Sequence, residues 1–371
     1  MLSGSAPPTL GPEVAVRRII LALVVAGCAG TPDTQGTECE YEGTVVAVGD
    51  SVEECPGKSC VCTESGIVCP DLECDEDTGD EIEPYEGPWE VLTSLEGAGP
   101  WPAVGVLGDT LHVLPARQSV HHTYDFAEEV WDEAAALPDR AYYQGGNAVD
   151  GEFYVFGGGW PTTLDSLDTV RSWSSETDTW TDRAPLPTPR GYVTSAVVGG
   201  ELFAIGGPNI SGQTFNRTVE IYTPATDSWR AGSLMPTGTM WPLYSAIAAQ
   251  GDRIYLLGGG ISNNPFNTAV AYDIPTDTWV SLTSAPVPVH GPTGAVLDGK
   301  MYVMGGYLSD GITDRTWVYD IDGDSWSEGP ALPYAMAYSK AVVVENCVYL
   351  VGGFDDRNPE PAAGFLRWCP E

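Results

Sequence analysis

A chain of 371 residues with 52 Asp and Glu against 16 Lys and Arg carries a formal net charge of −36. A surface of that sign repels phosphate backbones, which excludes nucleic-acid partners, and it disfavours docking on anionic lipid without a covalent anchor. The length exceeds one ordinary domain, and 44 Gly, 30 Pro and 10% aromatic residues suit a large core broken by many turns.

Near the start, Arg17 and Arg18 precede an apolar run from Ile19 to Ala26. A charged segment followed by a short apolar one is the pattern of an export signal. The run is far below the ~20 residues that a membrane-spanning helix requires. It ends in Val25-Ala26-Gly27-Cys28, which resembles the lipobox of bacterial lipoproteins. That resemblance implies a signal peptide over 1–27, cleavage before Cys28, lipid on the Cys28 sulfur, and a linker over 28–38. Ala29, rather than Asp, follows the cysteine. This is similar to the outer-membrane sorting pattern of Gram-negative lipoproteins and implies a location on the bacterial cell envelope. The competing reading is an ordinary secretory signal with an adventitious cysteine.

Residues 39–74 hold Cys39, Cys55, Cys60, Cys62, Cys69 and Cys74. A segment this short buries too little core to be stable alone, so three disulfides would supply the stability, with pairings the sequence does not choose among. The order of Cys, Gly, Val-Gly-Asp-Ser, Cys-x-Cys and Gly-x-Val-x-Cys is similar to von Willebrand factor type C modules, with a longer Cys55–Cys60 spacing. Zinc is the rival reading of Cys60 and Cys62, but their spacing is not that of a C-x-x-C knuckle. With Cys28 assigned to lipid and Cys347 and Cys369 near the C-terminus, the nine cysteines leave no odd thiol, which suits an oxidising compartment. Pro56-Gly57-Lys58-Ser59 is the tail of a phosphate loop without its leading glycine, since Val52 stands there. An acidic run through residues 71–86 carries no base. Like charges extend it, so 75–87 reads as a spacer, and it lacks the spacing of a calcium loop.

From residue 88 onward a unit of about 50 residues recurs. Each copy has a small-apolar strand, a Gly or Asp turn, an alternating apolar strand, a Gly pair, a variable loop, a strand ending in an aromatic, a turn and a Trp. The Gly pairs are 157–158, 206–207, 258–259, 305–306 and 352–353, and the Trp series is Trp89, Trp131, Trp180, Trp229, Trp279 and Trp326. Short alternating strands with Asp-Gly and Gly-Gly turns predict all-β structure. The unit resembles the kelch repeat, which implies a β-propeller over 88–371. The last copy stops at Trp368 without its final Trp strand, and the segment around Trp89 supplies that strand. The expectation is a six-bladed ring closed by the N-terminal strand, with Cys347 and Cys369 bonded at neighbouring strand ends. Pro115 and Ala116 replace the Gly pair in the first copy, so that blade is expected to be the most irregular.

Catalytic motifs such as G-x-S-x-G, H-E-x-x-H and G-x-G-x-x-G before a helix are absent from the sequence. His121 and His122 are adjacent on a strand and point to opposite faces; His112 alternates with apolar residues and reads as half-buried. Asp320, Asp322 and Asp324 fit a turn as well as they fit calcium. Leading into the innermost strands stand Trp101, Arg140, Arg190, Trp241, His290 and Tyr338, expected at one mouth of the central channel. Aromatic plates and cationic forks around a concavity suit sugars and carboxylates; packing between strands and loops is the competing reading. Asn-, Ser- and Gly-rich loops after the Gly pairs are free to carry recognition. The expected function is that of a lipid-anchored, monomeric envelope protein binding a glycan or protein ligand, without metal or cofactor. The alternative is an exported enzyme resembling sialic-acid mutarotases, for which Arg190 and His290 are the candidates. Galactose oxidases, also kelch propellers, are a poor match because nothing here supplies their copper ligands.

Overall fold

The computed structural model describes residues 87–370, apart from 94, 96–98, 140–141, 160–165, 210–213, 237–243, 262–263 and 356–363, and strand segments of the backbone between 31 and 68. Cys28, Cys69, Cys74, Arg140 and Trp241 lie outside the described residues, as do the signal peptide and the acidic spacer. The chain divides into two units, 1–85 and 86–371. In the first, Thr31–Pro32, Glu38–Tyr41 and Thr44–Ala47 form one antiparallel sheet, and Ser51–Cys55, Lys58–Thr63 and Gly66–Val68 form another. Cys39, Cys55, Cys60 and Cys62 fall on these strands.

The second unit is a ring of six four-stranded antiparallel sheets. Blade 1 runs Ala103–Leu107, Thr110–Leu114, His121–Asp125 and Val130–Ala134. Innermost strands of the next blades are Gly145–Val149, Thr194–Val198, Ala246–Gln250, Thr293–Leu297 and Lys340–Val344. The first hairpin of blades 2, 3 and 5 turns at residue pairs with left-handed φ: Asp150 and Gly151 (49° and 78°), Gly199 and Gly200 (60° and 77°), Asp298 and Gly299 (49° and 74°). Such turns match the twist of the strands they join. Among the described residues, no helix is long and apolar enough to cross a membrane.

Each blade is apolar on both faces, so burial is satisfied only between neighbours. Six clusters of buried side chains result, one at each junction of the ring. The junction of blades 6 and 1 packs Tyr349, Val351 and Phe365 against Val104, Leu111, Val113 and Tyr124. Closure of blade 6 comes from Glu90–Val91, the outermost strand, with Val91 opposite Leu366 and Glu90 opposite Arg367. Trp89 is buried with its ring 5.6 Å from that of Trp368. The Arg367 guanidinium reaches Glu90 at 2.7 Å and Glu129 at 2.6 Å, tying the closing strand to blade 1. Cys347 and Cys369 form a disulfide at the end of this sheet.

The Gly pairs have a steric and a hydrogen-bonding cause. Both glycines of every pair take left-handed φ, and the crossover segment to the next blade lies against them. A Cβ on Gly157 would stand 2.6 Å from the Arg190 carbonyl oxygen, and one on Gly305 would overlap that of Met336. The second glycine donates its amide to the crossover: Gly158 to Arg190, Gly259 to Val289, Gly306 to Met336 and Gly353 to Gly99, each at 2.8 Å. Side chains would break this stitch. Blade 1 is regular, contrary to expectation: its strand pairings run without a register shift. Its departure is confined to the connection over 115–120.

The spacing of aromatic, Asp and Trp is a latch between blades. Asp227, with φ 45°, accepts the Tyr222 hydroxyl at 2.6 Å and the Ala184 amide of the preceding blade's connection at 2.8 Å. Trp229 Nε1 donates to the Ala184 carbonyl. The same set recurs with Trp173, Asp178 and Trp180 on Ala135, with Tyr272, Asp277 and Trp279 on Ser233, and with Tyr319, Asp324 and Trp326 on Thr283. Asp324 is therefore a latch residue, and Asp320 accepts the Gly323 amide of its own turn.

Candidate functional site

Two residues before each innermost strand the backbone turns through the left-handed region. Five of the six positions are aromatic: Trp101 (φ 59°), Tyr143 (61°), Tyr192 (51°), Tyr244 (60°) and Tyr338 (60°). The sixth is Gly291 (70°), where a Cβ would overlap the Tyr338 ring. A bulky residue in this region is strained by about 1–3 kcal/mol and persists only where the surroundings hold it. Backbone hydrogen bonds from blade to blade do so: Trp101 N to Tyr338 O and Tyr338 N to Gly291 O at 2.9 Å, Gly291 N to Tyr244 O at 3.0 Å, and Tyr192 N to Tyr143 O at 2.9 Å.

The five rings converge over the channel. Trp101 lies 4.5–6.0 Å, centroid to centroid, from all four tyrosines, and Tyr143 stacks on Tyr192 at 3.9 Å. Each ring is partly exposed, so together they form a platform across one mouth of the ring. Trp101 Nε1 is buried without a partner. Burial holds the hydroxyls of Tyr192, Tyr244 and Tyr338 above the ordinary tyrosine pKa, so all are neutral donors.

At the rim stands Arg117, exposed, with φ 74°. Its guanidinium lies 5.4 Å from the centre of the Tyr142 ring and hydrogen-bonds Tyr143. The shortened blade-1 connection, Pro115-Ala116-Arg117 in place of a Gly pair, is what puts it there. This gives an aromatic platform with a cationic fork beside it.

Trp101 and Tyr338, of the residues expected at the mouth, are platform members. His290 lies just beneath, 2% exposed, with Nδ1 3.1 Å from the Tyr338 hydroxyl and Nε2 buried without a partner. Burial pushes its pKa down to about 4, so it is neutral. Arg190 is not at the mouth. It is wholly buried in the wall of blade 3, ion-paired to Glu220 at 2.7 Å and donating to the Thr188 and Gly206 carbonyls and the Thr218 hydroxyl. Every donor direction is used inside the protein, which removes it as a ligand contact. Tyr143, Tyr192, Tyr244 and Arg117 were not among the expected residues. A constant offset of two residues from the innermost strand marks the three tyrosines.

His112 and His121 form a second polar feature, outside the mouth. His112 Nδ1 and His121 Nε2 are 2.9 Å apart at the junction of blades 1 and 2, against Phe153 and Trp173. His112 is buried rather than half-buried, and His121 and His122 take opposite faces, with His121 at 0% exposure.

The profile of the attractin/LZTR1 β-propeller matches residues 108–359, more than half of the chain. The chain belongs to the attractin/LZTR1 β-propeller family. No curated protein matches it in sequence. Among solved proteins, YjhT is similar to this propeller with a TM-score of 0.66 and 16% identity, over 75% of this chain and 96% of that one. At that identity the likeness is one of fold, and propellers of the attractin/LZTR1 kind have to be assigned a function from their own sites.

Proposed function

We propose that this propeller is a binding protein that takes a glycan on the aromatic platform, displayed on the bacterial cell envelope through lipid on Cys28. The observation that carries the reading is the set of five aromatic residues in left-handed backbone with Arg117 at their rim. Sugar rings present apolar faces to aromatic plates and hydroxyls to phenols, and an acidic sugar adds a carboxylate for the guanidinium. The left-handed turn belongs to every blade, and glycine would take it without strain, as Gly291 does; an aromatic side chain kept at five of the six turns supports a built surface. The charge of −36 keeps such a protein soluble beside the membrane, and the small cysteine-rich unit and acidic segment act as the stalk. The apolar run and the Val25-Ala26-Gly27-Cys28 sequence support the anchor. An enzyme of the mutarotase kind would need an Arg facing a carboxylate or His in the channel, a role that Arg190, buried in the wall and bonded to Glu220, does not fill.

A glycan array with the wild type, Trp101→Ala and Arg117→Ala tests the site. Binding by the wild type that falls at least ~10-fold in Trp101→Ala supports the platform. Equal binding by all three removes the platform as the site. Silence of the wild type on every glycan removes the glycan reading and leaves a protein ligand, to be sought by crosslinking in cells. Mass spectrometry of the mature N-terminus tests the anchor: acylated Cys28 supports it, and a free or internal Cys28 contradicts it.

A further inference from the structure

Beneath the platform the six innermost strands enclose a channel of about 400 Å³. Small residues keep it open: Gly105, Gly146, Ala196, Ala248, Gly294 and Ala341 all line it. The platform covers one end. At the other, Val343 is 37% exposed on its strand, so that end meets solvent.

One charged residue lines this space among the described residues, and it is Lys340. The chain has only three lysines, Lys58, Lys300 and Lys340. Equivalent positions at the start of the other innermost strands are Ala103, Gly145, Thr194, Ala246 and Thr293, so packing here needs no long side chain. Arg171, Arg183, Arg190, Arg230, Arg253, Arg315 and Arg367 each meet a carboxylate. Among the described residues, Lys340 has no carboxylate at ion-pair distance. Lys340 is half-buried, and desolvation by the surrounding strands pulls its amine down to about 8, still protonated at neutral pH. The groups that share the chamber with it are the phenols of Tyr143, Tyr192, Tyr244 and Tyr338 and the hydroxyls of Thr293 and Ser339; Ser245 also lines it, but its hydroxyl donates to the Gly258 carbonyl at 3.1 Å. Lower in the channel, Ser195 Oγ accepts from Asn147 Nδ2 at 2.6 Å, which leaves its own proton free to donate.

An ammonium group half-buried in a channel without a counter-ion is partly desolvated and is stabilised by an anion beside it. From the cavity and its single cation we infer that the channel is a binding site for a small monocarboxylate, held by the Lys340 ammonium and neutral hydroxyl donors. One cation balances one negative charge; a dianion would remain under-neutralised inside a protein of charge −36. A cavity of this size lies in the range of small-ligand sites. The site adjoins the inner side of the platform, but the acetate response is read at the lysine and glycan binding at Trp101→Ala, so failure of one reading is distinguishable from failure of the other.

Three lysines make the experiment direct. The full chain is labelled with ¹³C at the lysine side chains and titrated with sodium acetate, with sodium chloride at matched ionic strength as control. Acetate is expected to move one lysine ε resonance and to raise the pKa of that amine. Binding requires the protonated amine, so affinity falls as pH rises through about 8 and drops ~10-fold per pH unit beyond it. Lys340→Met abolishes the response and Lys300→Met keeps it. No acetate effect on any lysine, an equal effect of chloride, or a response that survives Lys340→Met each overturns the proposal. Because the wild-type titration stands alone, a poorly folding Lys340→Met does not rescue it; Lys340→Arg, which keeps the charge, then has to retain acetate binding, and its loss also counts against the site.

Discussion

Arg190 and Glu220 form an ion pair of 2.7 Å with side chains 0% and 5% exposed. Glu220 also accepts the Thr188 hydroxyl at 2.6 Å. A buried pair of this sort is costly to break because the survivor is a charge without a partner. Glu220→Ala is expected to destabilise the propeller by about 3–5 kcal/mol in urea unfolding, whereas Arg190→Met with Glu220→Leu stays within about 2 kcal/mol of wild type. An effect of Glu220→Ala near zero would mean that Arg190 has another partner.

Two glycines with similar backbone separate strain from crowding. Gly299 has φ 74° with nothing near its absent Cβ, and Gly305 has φ 64° with the Met336 carbonyl in the way. Gly299→Ala is expected to cost about 1–2 kcal/mol from the left-handed backbone alone. Gly305→Ala adds a clash with the crossover and costs about 3 kcal/mol or more. Thermal unfolding of the two variants checks the difference.

The disulfide between Cys347 and Cys369 spans 22 residues. Replacing both by serine is expected to lower stability by about 3 kcal/mol, through the loop freed in the unfolded chain. The Leu92 amide, bonded to the Phe365 carbonyl at 2.8 Å, should then exchange with deuterium faster, because the closing strand is anchored to that sheet. Unchanged urea midpoints would show that the closing strand holds the ring without the bond.

Burial pulls His112 down to about 4 and His121 to about 3, and the second is lowered further by the first. His122 and His290 are lowered too. The unfolded chain, titrating near ~6.5, therefore takes up protons that the folded chain refuses as pH falls. Stability from these residues is complete above pH ~6.5 and is lost between there and about 4. His112→Leu with His121→Leu should reduce the fall in melting temperature over that interval by roughly half; an unchanged slope would place the acid sensitivity elsewhere.

The fold was legible because its constraints are local in sequence. Asp-Gly and Gly-Gly turns, paired glycines and the aromatic-to-Trp spacing each answer a backbone need that recurs from blade to blade. Trp89 revealed the closure because the Trp series needed a sixth strand after Trp368. The platform was harder to see. Trp101, Tyr143, Tyr192, Tyr244, Gly291 and Tyr338 share a backbone conformation and an offset, not a residue type, and the Arg and His residues beside them drew the alignment off by one to several positions. Arg190 stands four residues before its strand and His290 three, so neither takes the left-handed position. Nothing local told that Arg190 would meet Glu220 in the next strands, or that His112 would face His121 on a neighbouring one. Arg117 had a signal, the missing Gly pair at Pro115 and Ala116, but its meaning needed the path of the shortened connection.

Deuterium exchange of the propeller with the strongest glycan from the array is the most direct test of the platform. The account predicts slowed exchange at the amides of Trp101, Tyr192, Gly291 and Tyr338, around the mouth, with outer strands such as Thr278–Ser281 unchanged. Slowing confined to the outer strands, with the mouth unaffected, would contradict it.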